Sequence, residues 1–229
     1  MSKPLHDTSL GEGARGKGSP WSDRDSGAAA PLTLGVSAVD QPSLRAAVFL
    51  DRDGVLNAES AQFVKHPKEL TIFPFVGPAI ARLNAAGYAV VVVSNQSGIA
   101  RGLFSLADLA AMERKIRRNV ARSGGRIEAF YYCPHFPDEG CSCRKPAPGM
   151  ILKAASDLHL DLGRSIMIGD RPHDIEAGAA AGCRTVLVLT GLASCVALQD
   201  FRVLPGAVST NLASAADCII AGHVERDPR

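Results

Sequence analysis

"AAVFLDRDG", residues 46–54, runs five apolar residues straight into an Asp-x-Asp-Gly turn. An apolar run of that length without polar alternation is buried on both faces, as in a strand inside a parallel sheet. Asp51 and Asp53 stand where the chain must leave that sheet, and Gly54 suits a sharp turn. One Asp-x-Asp alone reads as a solvated turn. The surrounding sequence decides whether it is a site.

Working outward, "YAVVVVS" (88–94), "IEAFYY" (127–132), "SIMIG" (165–169) and "TVLVL" (185–189) read as four further strands. Helical spacing lies between them. Val76, Ile80, Leu83 and Ala86 recur ahead of a Gly87 stop, and Ser105-x-x-Asp108 forms a capping box before Leu109, Met112, Ile116 and Val120. Residues 150–159 and the small-residue stretch "DIEAGAAAG" (174–182) read as two more helices. Repeated alternation of strand and helix predicts an α/β fold, a doubly wound parallel sheet. No internal repeat is evident. The stretch between "DRDG" and the next helix is short, and one helix separates "SNQSGIARG" from the third strand. Neither leaves space for a large cap domain.

Ligands of such sheets bind beyond the carboxyl ends of the strands. The first strand is followed there by Asp51 and Asp53, the second by "SNQSG", the third by a loop ending in Arg144 and Lys145, and the fourth by "DRPHD" with Asp170 and Asp174. Four carboxylates brought together in a cleft repel unless a hard cation joins them, and Mg²⁺ with a substrate phosphate suits that set. Ser94 offers a hydroxyl, the backbone of 95–98 offers N–H groups, Lys145 a point charge and Arg144 a fork for a second anion. No G-x-G-x-x-G or Walker sequence occurs, so the phosphate chemistry is not that of a nucleotide loop. A carboxylate nucleophile remains.

The loop after the third strand, "YYCPHFPDEGCSCRKP" (131–146), places Cys133, His135, Cys141 and Cys143 in C-x-H-x5-C-x-C spacing. These are four ligands of the kind tetrahedral zinc takes, with turn residues between them. Chance clustering and disulfides are the alternatives, but Cys141 and Cys143 are too close in sequence to pair comfortably. With all four positions filled by protein, such a zinc is structural and stiffens the wall that carries Arg144 and Lys145.

"FLDRDGVLN", "VVVSNQSGIARG", "CRKPAPGM" and "IGDRPHDIEAG" together resemble the four ordered motifs of the haloacid dehalogenase-like phosphatases, over about residues 46–191. Within that superfamily the resemblance is to the subfamily of heptose bisphosphate and histidinol-phosphate phosphatases. It implies Asp51 as the nucleophile that forms an aspartyl-phosphate and Asp53 as the general acid/base. It also implies Mg²⁺ held by the Asp51 carboxylate, the Asp53 main-chain carbonyl and Asp170. Ser94, Asn95 and Lys145 match the groups that bind the transferred phosphoryl. Gln96, Ser97, Arg101 and Arg144 are expected to touch substrate, and Asp174 to orient Lys145 or a water on the metal. The resemblance extends to zinc on Cys133, His135, Cys141 and Cys143. Val55 departs from the Thr of many relatives at a position without a catalytic role. The short zinc loop also occurs in histidinol-phosphate phosphatases, whereas "NQSGIARG" resembles the heptose enzymes more closely.

The bulk properties are those of an ordinary globular protein with a real core. The chain has 229 residues, 46% hydrophobic and 21% charged, with a net charge of +2. That balance speaks against nucleic-acid or membrane surfaces as partners, and no apolar run could span a bilayer. Cys183, Cys195 and Cys218 read as reduced, buried thiols, so a cytoplasmic location is expected. The resemblance implies a phosphorylated sugar as substrate, and a monomer is expected. Residues 1–45 differ: Gly, Pro and Ser fill 17 of them and no apolar period is sustained, so they are expected to be a disordered extension before a phosphatase domain at 46–229. Trp21 is either an anchor or a stray aromatic. A catalytically silent zinc-bearing binding protein is the reading from another class, and the intact Asp51, Asp53, Lys145 and Asp170 set weighs against it.

Overall fold

The computed structural model describes residues 44–191 and 201–224. The expectations for the amino-terminal extension, apart from Leu44 and Arg45, and for Cys195 lie outside the described residues. The elements run β1 (Ala47–Leu50), α1 (Val76–Ala85), β2 (Ala89–Asn95), α2 (Leu106–Ala121), β3 (Ala129–Cys133), α3 (Gly149–Leu158), β4 (Ile166–Gly169), α4 (Pro172–Ala180), β5 (Arg184–Val188), β6 (Ala207–Ser209) and α5 (Leu212–Ile220). All strand pairs are parallel, in the order β3-β2-β1-β4-β5-β6.

Successive strand residues feed two cores, because side chains alternate across the sheet. Val48, Leu50, Val90, Val92, Ile166 and Ile168 pack with the apolar stripes of α1, α2 and α5. Ala47, Phe49, Val91, Val93 and Met167 pack on the other face with α3 and α4. Both faces are thus covered, which is why these strands carry almost no polar residue. The Ser105–Asp108 capping box at the start of α2 is present in both directions. Gly87 follows α1 at φ 88°, a backbone conformation that favours glycine.

β3 begins two residues after Ile127 and includes Cys133, so the first zinc-loop cysteine is anchored in the sheet itself. β6 and α5 extend the fold past the last strand foreseen. β6 is only three residues long with Val208 exposed, too short to show a pattern. α5 does carry a readable stripe, Leu212, Ala215, Ala216 and Ile219, behind an Asn211 cap. Cys183 is buried as expected, while Cys218 is only half-buried at the margin of the first core.

α4 lies unusually close to the sheet. A Cβ at Gly178 would stand 2.5 Å from the Met167 Cβ and 3.0 Å from the Thr185 Cγ2. Gly178→Ala is therefore expected to lower stability by about 1–3 kcal/mol through overpacking. The check is a lower urea midpoint with an unchanged m value.

β1 lies between β2 and β4, so the chain departs to one side of β1 and later returns on the other. This is the topological switch point, where helices diverge and a crevice opens at the carboxyl ends. Between β1 and α1, residues 51–75 form turns and isolated bridges rather than a cap domain.

Candidate active site

Asp51 leaves β1 with its amide still donating to the Ile168 carbonyl of β4 at 3.0 Å, so it sits on the switch-point crevice. Asp170 follows β4 and Asp174 lies in the first turn of α4. The structure brings oxygens of Asp51, Asp170 and Asp174 within 4.8 Å of one another, all three residues being buried. Lys145 is the counter-charge. Its Nζ donates to Asp51 Oδ1 at 2.7 Å and to the Val93 carbonyl at 2.9 Å, and lies 2.6 Å from Asp174 Oδ1. Lys145 is itself held by Asn95. The Asn95 Nδ2 donates to the Lys145 carbonyl and its Oδ1 accepts from the Lys145 amide, each at 3.1 Å. Asn95, read from the sequence as a phosphoryl ligand, thus spends its amide on the lysine backbone.

The electrostatics follow from this crowding. Burial raises the Asp51 carboxyl above its ordinary range, and Asp174 and Asp53 add to the rise against the opposing pull of Lys145. Burial likewise opposes ionisation of Asp174, but Lys145 and His173 outweigh it and hold that carboxyl low. Asp170 has only the more distant pull of Arg171 against its rise. Burial first, then Asp51 and Asp174, push it up to about 8. Both Asp170 oxygens are buried without a hydrogen-bond partner among the described residues, and the nearest arginine nitrogen, on Arg171, is 3.8 Å away. Orphaned carboxylate oxygens beside two more carboxylates suit a hard divalent cation, so the donor set fits Mg²⁺. Two glycines shape this cradle: a Cβ at Gly54 or at Gly191 would strike Asp170 Oδ2, at 2.4 and 1.8 Å.

Asp53 does not join that cluster. Its carboxylate takes three bonds from the Arg52 fork at 2.7–3.1 Å, one from Asn57 Nδ2 at 2.8 Å and one from Gln96 Nε2 at 2.9 Å. Burial alone would raise this carboxyl, but Arg52, Asn57 and Gln96 hold it below the usual range. Gln96 also donates to the Ser94 hydroxyl at 3.1 Å, linking Asp53 to the end of β2.

Asp51, Arg52, Asp53, Ser94 and Gln96 line a cavity of about 430 Å³ that also reaches Ser97, Arg101, Arg144 and Arg171. Arg101 lies against the Phe136 and Phe63 rings, 5.2 and 6.0 Å from their centroids. Arg144 donates from Nη1 to the His135 carbonyl at 3.3 Å. Arg171 pairs with Glu59, tying the loop after β1 to α4. Arg52, Asn57, Glu59, Phe63, Arg171 and Gly191 were not singled out from the sequence. Arg52 could have been, since a cation set between two aspartates beyond a buried strand needs a partner.

The zinc-type loop closes one wall. Its ligand atoms also lie within 4.8 Å of one another. Cys133 Sγ is 3.6 Å from Cys141 Sγ, Cys141 is 3.5 Å from Cys143, and His135 Nδ1 is 3.5 and 3.2 Å from Cys133 and Cys143. A Zn–S bond of about 2.3 Å in a tetrahedron gives sulfurs about 3.8 Å apart. The cage is of that size, its thiols are free of disulfides, and it fits zinc.

The family model "HAD-hyrolase-like" matches residues 142–215. The chain is 48% identical to D-glycero-beta-D-manno-heptose-1,7-bisphosphate 7-phosphatase of Bordetella bronchiseptica over 144 residues, 63% of this chain and 80% of that protein. It is 38% identical to D-glycero-D-manno-heptose-1,7-bisphosphate 7-phosphatase of Thermosynechococcus vestitus over 188 residues, 76% of this chain and 95% of that one. Among solved structures, D,D-heptose 1,7-bisphosphate phosphatase of B. bronchiseptica, complexed with magnesium and phosphate, superposes with a TM-score of 0.69 at 42% identity, covering 77% of this chain and 99% of that one. The enzyme of that name from Burkholderia thailandensis gives 0.60 at 38% identity over the same shares. No helix among the described residues is long and apolar enough to cross a membrane. Fold, switch-point carboxylates and relatives meet in one assignment: the chain belongs to the haloacid dehalogenase-like phosphatases, in the family of the heptose-1,7-bisphosphate 7-phosphatases.

Proposed function

We propose that the chain is a Mg²⁺-dependent phosphatase that removes the 7-phosphate of D-glycero-D-manno-heptose 1,7-bisphosphate, with residues 46–229 as the catalytic domain. The carrying observation is the Asp51 carboxylate, held by Lys145 beside the two unpartnered oxygens of Asp170 at the switch point. An oxygen of Asp51 attacks phosphorus as the bond from phosphorus to the sugar oxygen breaks, and the protonated fraction of Asp53, small because its carboxyl is held low, gives that oxygen its proton. Asp53 then takes a proton from water, whose oxygen attacks the aspartyl-phosphate. The phosphorus–Asp51 bond breaks and inorganic phosphate leaves. Asp51, the Asp53 main-chain carbonyl and Asp170 would hold Mg²⁺, which when bound neutralises charge on the phosphoryl group. Lys145 and Ser94 hold the phosphoryl oxygens, and Asn95 and Asp174 fix Lys145. Gln96 and Ser97 line the phosphate end, and Arg101 the mouth.

Initial rates on the heptose bisphosphate, heptose 7-phosphate and histidinol phosphate, with and without Mg²⁺, test this reading. The bisphosphate is expected to be turned over fastest. Faster turnover of histidinol phosphate would reassign the substrate, and no Mg²⁺-dependent turnover at all would leave a silent zinc-bearing binding protein. Arg144 is the proposed partner of the second phosphate. Arg144→Ala should lower kcat/KM on the bisphosphate by roughly 10–100-fold and spare the monophosphate. Equal losses with a lower Tm would mean that it only braces the loop through His135.

The proposal includes zinc on Cys133, His135, Cys141 and Cys143. Cys141→Ser should lose zinc and lower turnover by about 10²-fold, because Lys145 follows two residues after Cys143 and small displacements of a positioned group are costly. Metal analysis of reduced protein and the activity of the variant check this together. Free thiols at every described cysteine suit a reducing compartment, so a cytoplasmic monomer completes the reading, with gel filtration as its check.

A further inference from the structure

We propose that Arg52 is a positioning residue whose guanidinium fork fixes the plane of the Asp53 carboxylate against the leaving oxygen. This rests on the proposed reading of Asp53 as acid/base. Among the described residues Arg52 is the largest side chain buried completely, at 1% exposure. Burying a guanidinium is costly, and it is retained only where its hydrogen bonds repay the desolvation. All of its side-chain bonds go to one group. Nε donates to Asp53 Oδ2 at 3.1 Å, and Nη2 to Oδ1 and Oδ2 at 2.9 and 2.7 Å. The remaining Nη1 is buried with no hydrogen-bond partner among the described residues, so Arg52 does not knit a wider structural network.

The rest of the environment completes a cage around Asp53. Asn57 donates to Oδ1 and Gln96 to Oδ2, so contacts arrive from the loops after both β1 and β2. The Arg52 carbonyl accepts from the amides of Leu56 and Asn57, which fixes the backbone from which the fork reaches. Each acidic residue of the Asp-x-Asp pair therefore has its own buried cation. Asp51 faces the ammonium of Lys145, a point charge shared with Asp174. Asp53 faces a planar fork. A point charge supplies field without direction, whereas a fork fixes orientation as well. Orientation is what proton transfer to a leaving oxygen requires.

The experiment compares Arg52→Lys, which keeps the charge and loses the fork, with Asp53→Asn and the double variant. Substrates are the sugar bisphosphate, whose alkoxide must be protonated, and 4-nitrophenyl phosphate, whose phenolate leaves without a proton. Arg52→Lys is expected to lower kcat/KM on the sugar bisphosphate by about 10–100-fold and on the aryl phosphate by about threefold or less. In the Asp53→Asn background it should cost nothing further, since the fork then has no carboxylate to aim. Equal losses on both substrates, or the same loss in both backgrounds, would make Arg52 a structural residue and overturn the proposal. Arg52→Gln, read by the same substrate ratio, serves if the lysine variant does not fold. Asp53→Asn separates the two layers. If that variant loses equally on alkyl and aryl phosphates, the acid/base reading fails. If it shows the leaving-group dependence and Arg52→Lys does not, only the positioning role fails.

Discussion

Asp51→Asn is expected to give a folded protein whose turnover of every phosphomonoester falls by about 10⁴-fold or more, because an amide oxygen is a poor nucleophile and a weak ligand for a hard cation. Retention of the fold follows from the geometry. The asparagine carbonyl can accept the bond that Lys145 now gives to Asp51 Oδ1 at 2.7 Å, and the side chains are nearly isosteric. Removing one of three carboxylates within 4.8 Å also relieves their repulsion, while Lys145 keeps Asp174 as its counter-charge. The melting temperature without Mg²⁺ should therefore hold or rise as activity vanishes. Acid-quenched wild-type enzyme should carry a phosphate mass increment during turnover that the variant lacks. Substantial turnover by the variant, or an increment at another residue, would place the nucleophile elsewhere.

β1, β2 and β4 were legible because they are buried on both faces and so carry continuous apolar runs, and the functional groups follow those runs directly. Asp51, Asp170, Lys145 and the zinc-type loop could all be placed on one edge by that argument. The arrangement within the edge was not legible, since it depends on side-chain direction beyond the strand ends. Sequence reading gathered Asp51, Asp53, Asp170 and Asp174 into one group. The structure divides them: Lys145 pairs with Asp51 and Asp174, Asp170 stands beside those two, and Arg52 takes Asp53. The role of Asn95 escaped for a similar reason, because its amide closes on the backbone of a residue fifty positions away. Gly191 was hidden differently. Its contact with Asp170 comes from the loop after β5, where no charged or ligating residue marks the position. β6 is too short to carry a period, and α5 is legible only once the chain is read past residue 189.

Lys145→Met should be the most damaging change to stability and activity together. Methionine fills similar volume, so the effect is that of the lost charge. It leaves Asp51 and Asp174 buried without the ammonium they share, and breaking a buried ion pair from one side typically costs about 3–5 kcal/mol. The pH dependence has a definite sign. Asp174 is held below its ordinary value against burial chiefly by Lys145, so its contribution is present above its unfolded pKa and is lost as pH falls through the folded one. In the variant that support is gone, and the folded carboxylates take up protons more readily than the unfolded chain. The stability difference between wild type and variant is therefore largest near neutral pH and shrinks toward pH 4, the region of the ordinary carboxylate pKa. Mg²⁺ should restore part of it by replacing the missing positive charge. Turnover should fall by about 10²–10³-fold, and equally on a bisphosphate and a monophosphate, since both present the phosphoryl group that Lys145 holds. Urea unfolding at several pH values, with and without Mg²⁺, reads the first effect. A deficit that stays flat across pH would reduce Lys145 to packing, and a loss confined to the bisphosphate would move it from the transferred phosphate to the distal one.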